Sequence, residues 1–492
     1  MSIININNLT FSYEGSENYV FRNVDLNLDT NWKLGLVGRN GIGKTTFLNL
    51  LLDKYEYSGS INADVNFEYF PFNIENKKFN SYEIAKMYLN YDYEQWKLEK
   101  EINLLNVKTK VLLNPFNILS MGEQTKVLLA ILFLKVNSFL LIDEPTNHLD
   151  LKGRETVANY LKLKRGFIIV SHDRELLDTC IDHVLYINKS TIGIEKGNFS
   201  SYFKNKIEKD NFELNENKKL KNEIVQLEKN SSEVKKWANK VENSKYNIKK
   251  GVATDKGYIG HKSAKMMKRA IIAQKRKEKK IAQKSNLLKD IDVIEDLKIR
   301  PLDNIKGRLL EFYNFSVIFN NRKIFKEKNF YIENKDRVRL KGPNGCGKSS
   351  LLKAILGEDI QYVGKKYSSS NLRFSYVPQN IHGLSGKLDV YAKINKIDES
   401  TFKTVLIKLG FNRNQLDKDI ESFSNGQKKK VLIAKSLCEE ANIYVWDEPL
   451  NYVDVFSRMQ LENLLLKCKL TMIFVEHDEV FSEKIATKVI DL

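Results

Sequence analysis

Unlike motifs recur along this 492-residue chain at a nearly constant distance, and that repeat restricts the fold more than any single motif does. Lys44 returns as Lys348, Ser120 as Ser424, Asp143 as Asp447 and Glu144 as Glu448, each 304 residues later. His172 matches His477 at 305, and Tyr13 matches Phe319 at 306. One offset shared by unrelated residue types predicts two copies of one domain, 1–199 and 308–492, with residues 200–307 as the connection.

Each copy contains a glycine-rich loop between an apolar strand and an apolar helix: GRNGIGKTT at 38–46 and GPNGCGKSS at 342–350. Glycine lets backbone N–H groups close around phosphate oxygens, and the positive end of the following helix faces the same anion. The phosphate-contacting residues are then Gly38, Asn40, Gly41, Gly43, Lys44, Thr45 and Thr46 in the first loop. Those of the second are Gly342, Asn344, Gly345, Gly347, Lys348, Ser349 and Ser350. Lys44 and Lys348 reach the β and γ phosphates of ATP, and Thr45 and Ser349 offer hydroxyls to Mg²⁺. A chance glycine turn would not carry strand, lysine, hydroxyl and helix twice.

A second pair of motifs, FLLIDEPTNHLD at 139–150 and IYVWDEPLNYVD at 443–454, consists of apolar runs that end in two acids. A continuous apolar run fits a parallel strand buried on both faces whose C-terminal end opens onto a site. Asp143 and Asp447 are therefore Mg²⁺ residues, and Glu144 and Glu448 are general bases for an attacking water.

At this point the chain resembles the ABC ATPases. LSMGEQ at 119–124 and FSNGQK at 423–428 are similar to the signature motif of that family. The resemblance implies an α/β fold in which two P-loop cassettes pair head to tail. Lys44, Thr45, Asp143, Glu144 and His172 would then share an ATP with Ser424, Asn425 and Gly426. Lys348, Ser349, Asp447, Glu448 and His477 would share one with Ser120, Met121 and Gly122. His172 and His477 resemble the switch histidine, and Tyr13 and Phe319 the aromatic that stacks on adenine; core packing is the plainer role for either ring. Gln379, in SYVPQN, matches the glutamine that watches the metal, whereas the first copy has Phe72 in EYFPFN. A phenyl ring has no amide to offer, so the site built on Lys44 is expected to be the irregular one.

The connection concentrates the charge. Residues 231–289 hold 18 Lys/Arg and 4 Asp/Glu, so most of the chain's net +18 lies there, and an anionic partner is expected. Leu220, Ile224, Leu227, Val234, Ala238 and Val241 recur at three- and four-residue steps, and Met267, Ile271, Ile281 and Leu288 extend a weaker seam. This pattern predicts two antiparallel coiled-coil helices of ~35 residues, with a tip at about 242–262 marked by Gly251, Gly257 and Gly260. Lysines and flat rings at the tip suit folded RNA, and a solvated spacer is the plainer reading. The RNA-contact candidates are Lys245, Tyr246, Lys256, Tyr258, Lys262, Lys265, Lys268 and Arg269.

Twin cassettes around a basic helical linker resemble the ABC-F translation ATPases, and GNFSSYF at 197–203 is similar to a segment of that family. EYFPF, the stretch WKLGLVGRNGIGKTTFLNLLL and IGHKSAKMMKRA resemble the Lsa-type resistance proteins within it. Only 47 residues separate Phe72 from Ser120, which leaves little room for an arm insertion, and 15 residues follow His477, so no basic C-terminal extension is expected.

The resemblance implies a monomer that pairs its own cassettes and needs no obligate protein partner. It would enter the E site of the bacterial ribosome, touch large-subunit rRNA and P-site tRNA, dock with ATP and Mg²⁺, and leave after hydrolysis. It would thereby protect against lincosamides, pleuromutilins and streptogramin A. A housekeeping translation factor is the alternative. An exporter's ATP-binding subunit is disfavoured by the long basic linker, and a DNA-repair ATPase by the lack of zinc-like cysteine spacing. The longest apolar run, Val127 to Leu134, is eight residues, too short to span a membrane. The first residues lack a secretion signal, so a cytoplasmic location is expected, where Cys180, Cys346, Cys438 and Cys468 stay reduced.

Overall fold

The computed structural model describes residues 2–15, 19–89, 94–147, 149–188, 190–243, 302, 307–319, 322–343, 345–381 and 383–492, with 268, 272 and 275; of 224 and 226–243 it describes only the backbone. Met1–Tyr202 and Asp296–Leu492 form one compact unit, and Phe203–Glu295 a second.

The N-terminal half folds into two sheets around one helix. β1 (Ile3–Phe11), β2 (Phe21–Asp29) and β4 (Ser58–Asn62) make an antiparallel sheet in the order β2-β1-β4. Along β2, Phe21, Val24, Leu26 and Leu28 point to the core while the residues between them face solvent, the pattern of a half-buried strand. The larger sheet runs β5-β6-β7-β3-β8-β9. Its strands are β3 (Lys33–Val37), β5 (Asn66–Phe70), β6 (Ser138–Asp143), β7 (Phe167–Val170), β8 (His183–Asn188) and β9 (Thr191–Lys196). All pairings are parallel except β8 with β9. β6 and β7 are apolar throughout their centres because both faces are covered. Between the two sheets, α1 (Lys44–Leu51) buries Phe47, Leu48, Leu50 and Leu51 in a single core with Ile6, Leu9, Leu34 and Leu141. Each such side chain contributes roughly 1.5–3 kcal/mol.

Four more helices cover the other side of this half, α2 (Ser81–Tyr88), α3 (Gln95–Leu104), α4 (Met121–Leu132) and α5 (Leu151–Leu163), and α6 (Arg174–Cys180) follows β7. The motif LSMGEQ is a helix start: Ser120 caps α4, its hydroxyl accepting from Glu123 N at 3.3 Å while Glu123 accepts from Ser120 N at 3.0 Å. This reciprocal pair is a capping box.

The C-terminal half repeats the plan. β10 (Arg308–Phe319), β11 (Arg322–Lys323), β12 (Lys328–Glu333) and β14 (Tyr362–Ser368) form its antiparallel sheet. β13 (Arg337–Lys341), β15 (Phe374–Val377), β16 (Ile443–Asp447), β17 (Met472–Val475) and β18 (Lys488–Asp491) form a parallel sheet in the order β15-β16-β17-β13-β18. In both halves the strand before the glycine loop lies beside the strand before the histidine, which in turn lies beside the strand carrying the acids. All three therefore open at one edge.

In this half α8 (Lys348–Leu356) is the counterpart of α1. Beyond it come α9 (Leu388–Ile394), α10 (Glu399–Lys408), α11 (Asn425–Cys438), α12 (Val455–Cys468) and α13 (Glu479–Ile485). Ser424 caps α11 with the same box, using Gln427. Lys430 of α11 and Asp454, the cap of α12, form an ion pair at 2.6 Å with both side chains essentially out of water.

α7 departs from expectation in length. It runs unbroken from Phe199 to Asn243, 45 residues, and starts well before the apolar seam at Leu220. At 1.5 Å per residue that is about 68 Å. GNFSSYF is its entry: Asn198 Oδ1 accepts from Ser201 N at 3.0 Å, and no glycine or proline interrupts the helix after it. Lys268 is helical and exposed. Lys245, Tyr246, Lys256, Tyr258, Lys262, Lys265 and Arg269 lie outside the described residues, as does the turn expected between the two linker helices.

Removing one member of a buried ion pair leaves the other charge without compensation, a cost of about 3–5 kcal/mol. Lys430→Ala is therefore expected to lower the denaturant stability of the C-terminal half by about 3 kcal/mol. A loss below about 1 kcal/mol, the range of exposed pairs, would show that water reaches Asp454.

Candidate nucleotide sites

Two features of the backbone build each site. Gly43 and Gly347, which cap α1 and α8, have φ of 112° and 94°. A Cβ at Gly347 would lie 2.7 Å from Ile324, so only glycine fits this cradle. The second feature is at the acids: Glu144 and Glu448 take φ of 50° and 46°, a left-handed conformation that glutamate rarely adopts. The same strain at matched positions in both halves marks a site rather than a flaw.

Beside each loop lie a hydroxyl and a carboxylate whose chemistry would fit a divalent metal. The Thr45 hydroxyl lies beside the Asp143 carboxyl, and the Ser349 hydroxyl beside that of Asp447. Burial pushes both aspartate carboxyls up, and Asp447 Oδ1 is buried without a hydrogen-bond partner. A hydroxyl beside a desolvated carboxylate oxygen suits Mg²⁺, which takes few protein ligands and fills its shell with phosphate and water. Among the described residues no cluster of three or more His, Cys, Asp or Glu could hold a metal by itself.

Around Lys348 the two halves enclose a cavity of about 1490 Å³. Gly345, Gly347, Lys348, Ser349 and Ser350 line it from one half and Ser120, Met121 and Gly122 from the other, with Phe319, Gln379, Glu448 and His477. Lys348 Nζ donates to the Gly342 and Pro343 carbonyls at 2.9 Å. Phe319 is 67% exposed, an apolar ring at the edge of the cavity. Asn344 lies outside the described residues.

Around Lys44 the halves are in direct contact. Asn40 Nδ2 donates to the Tyr452 carbonyl at 2.7 Å, and Asn40 N to Asp454 Oδ2 at 3.4 Å. Gly426 abuts the Asn40 amide so closely that a Cβ there would overlap it. Gly41 faces Gln427 of the opposite helix start that Ser424 and Asn425 begin. Lys44 Nζ donates to the carbonyls of Gly38 at 2.8 Å and Arg39 at 3.3 Å. Burial pulls its ammonium below the ordinary value, against Asp454, Glu144 and Asp143. A desolvated cation is ready for phosphate. Tyr13 shares a 2.6 Å hydrogen bond with Thr46, and its ring meets Phe11 edge-on.

The two glutamates have different surroundings. Glu448 accepts from Gln379 Nε2 at 2.9 Å and Asn451 Nδ2 at 2.6 Å, and His477 Nε2 lies 3.4 Å away. Burial raises the Glu448 carboxyl, but these bonds outweigh it and hold the group at about 2. His172 Nε2 lies 3.2 Å from Glu144 Oε1, yet burial holds that imidazole well below its ordinary value, and Oε1 accepts no hydrogen bond. Burial, with the Asp143 charge, pushes Glu144 up to about 8. Phe72, the counterpart of Gln379, turns away and stacks on Tyr88 at 4.0 Å.

Several site residues escaped sequence reasoning. Tyr69 donates to Asp143 Oδ2 at 3.0 Å. Lys429 is buried with its ammonium on the Pro378 carbonyl at 2.7 Å, and burial draws it down to about 8. Asn451, Tyr452 and Asp454 reach the sites from the stretch after the acids. The repeat held the signal for these last three, since Asn147 to Asp150 and Asn451 to Asp454 share the same offset.

A general base contributes about 100- to 10,000-fold, and only Glu448 has its partners and a cavity before it. Glu448→Gln should therefore lower steady-state ATPase by about 100-fold or more, and Glu144→Gln by much less. Equal residual rates would overturn this asymmetry.

Comparison with known proteins agrees with this geometry. The ABC transporter family profile matches residues 21–147 and 325–451, just over half of the chain. A nuclease-related domain profile also matches 149–254. Within that span, β7, β8 and β9 belong to the first half's own sheet. The chain is 29% identical over 96% of its length to the ribosome protection protein VmlR of Bacillus subtilis, covering 84% of it. It is 27% identical over 99% of its length to the ATP-binding protein Uup of Buchnera aphidicola, covering 80%. It is also 27% identical over 99% to ABC transporter F family member 2 of Arabidopsis thaliana, covering 76%. Among solved structures, an archaeal ribosome recycling factor, aABCE1, shares the fold at a TM-score of 0.62 and 19% identity, with 98% of this chain and 87% of that one covered. Twin glycine loops, acid-ended strands and facing helix starts thus have one common explanation: the chain belongs to the ABC transporter family and carries two of its ATPase cassettes.

Proposed function

We propose that this protein is a ribosome-binding ABC-F ATPase that protects the translating ribosome. The observation that carries the proposal is the basic linker: 18 cationic and 4 acidic side chains within 231–289, approached by a 45-residue helix that leaves an ATP-driven pair of cassettes. A polyanion is the fitting counterpart for such a segment. VmlR, alike along nearly the whole chain, is named for ribosome protection. No helix among the described residues is long and apolar enough to cross a membrane.

In this reading ATP and Mg²⁺ bind at the Lys44 and Lys348 sites, with Tyr13 and Phe319 against adenine. Ser120 and Gly122 complete the Lys348 site, and Ser424 and Gly426 the Lys44 site. Glu144 and Glu448 activate water, with His172 and His477 beside the γ-phosphate. Nucleotide closure permits docking and hydrolysis permits release, in the cytoplasm. The linker enters the E site, meets large-subunit rRNA and P-site tRNA, and dislodges lincosamides, pleuromutilins or streptogramin A, as the Lsa-type resemblance suggests. Tyr246, Tyr258 and the tip lysines are the contacts we assign. The ABC-F resemblance leaves a second reading, a housekeeping translation factor without a drug.

The Glu144→Gln, Glu448→Gln double variant with ATP is expected to co-sediment with ribosomes at about 50 mM salt. Binding should weaken by about 1000-fold or more by about 200 mM where six or more phosphates are neutralised. Absence of co-sedimentation at low salt would refute ribosome binding. Gene deletion should sensitise the host to at least one of the three drug classes. Unchanged susceptibility to all three would leave the translation-factor reading in its place.

A further inference from the structure

The segments that follow the two histidines are joined through one side chain. Arg174 opens α6, two residues after His172, and is 6% exposed. Its guanidinium leaves its own cassette: Nη2 pairs with Glu462 of α12, and lies 3.6 Å from Asp478 Oδ1. Asp478 follows His477 directly and caps α13, accepting from Phe481 N at 2.8 Å. Arg458 holds the same carboxylate at 3.0 Å, and Lys484 donates to Glu462 at 3.0 Å. A buried network therefore runs from the histidine segment of the first cassette into that of the second. Groups in such a network move together, because separating one leaves the others desolvated and unpaired.

The repeat places a second such position on the opposite side of the interface, and there the tie is missing. The counterpart of Arg174 is Glu479, that of Glu462 is Ala158, and that of Lys484 is Thr179. The Arg154–Asp173 pair, at 3.4 Å, repeats Arg458–Asp478, so the surrounding frame is retained. Glu479 turns back into its own cassette and binds Arg339 at 2.6 Å. Between it and Ala158 and Thr179 lies a cavity of about 360 Å³. One half of the interface is pinned by charge across it, and the other is a gap.

We infer that Arg174 is a positioning residue that couples the two ATP sites, transmitting the state of the Lys44 site through Asp478 to His477 at the Lys348 site. The Lys44 site, tightly packed and with a glutamate that lacks the amide partners of Glu448, then acts as the sensor for the Lys348 site. Among the described residues no equivalent side chain leads from the second histidine segment into the first cassette's α5, so the tie is one-sided in structure.

A double-mutant cycle on the full chain tests this. Lys44→Ala, which disables the first site, is combined with Arg174→Ala, and kcat and KM for ATP are measured. With Arg174 present, Lys44→Ala should lower kcat by at least about fivefold, the lower end of coupling between linked sites. With Arg174→Ala, the same Lys44→Ala change should have almost no further effect, and Arg174→Lys should restore part of it. Loss of packing alone would lower both rates and leave the ratio unchanged. Equal Lys44→Ala factors in the two backgrounds, or no effect of Lys44→Ala with Arg174 intact, would overturn the inference. Should Arg174→Ala fail to fold, Glu462→Gln cuts the tie from the other side without removing bulk, and the same two ratios decide.

Discussion

Neither candidate nucleotide site is formed by one half of this chain alone. At each, a glycine loop and its lysine face the helix start of the other half. Everything else serves that face-to-face arrangement. The parallel sheets bring loop, acids and histidine to one edge, and the capping boxes of Ser120 and Ser424 fix where the opposing helices begin. Buried pairs such as Lys430–Asp454 hold the facing surfaces in shape.

What could be read from sequence was what is local or repeated. The loops, the acid-ended strands and the helix starts each follow from a few neighbouring residues, and the 304-residue offset doubles every signal. The replacement of Gln379 by Phe72 also predicted unlike sites, and the structure shows the glutamates in unlike surroundings. What could not be read depends on the relative placement of distant segments. Asn40 against Tyr452 and Arg174 against Glu462 are contacts between residues 412 and 288 positions apart, and no local pattern foretells them. Tyr69 looks like an ordinary strand residue until β5 is laid beside β6 and its hydroxyl meets Asp143.

The asymmetry between the halves has a physical order. The Lys44 site is the one with direct protein–protein contact across the interface, an undersupplied glutamate and an aromatic in place of an amide. The Lys348 site has the cavity and the hydrogen-bonded glutamate. Two unlike sites can in principle separate holding a nucleotide from hydrolysing it.

The left-handed backbone at Glu144 and Glu448 has a consequence for variation. Glycine or asparagine would rest there more comfortably than glutamate. Random change selected only for thermal robustness should therefore drift towards those residues, relaxing the backbone. Where the glutamate carries the turnover, as is expected more of Glu448 than of Glu144, heat resistance gained at that position opposes activity.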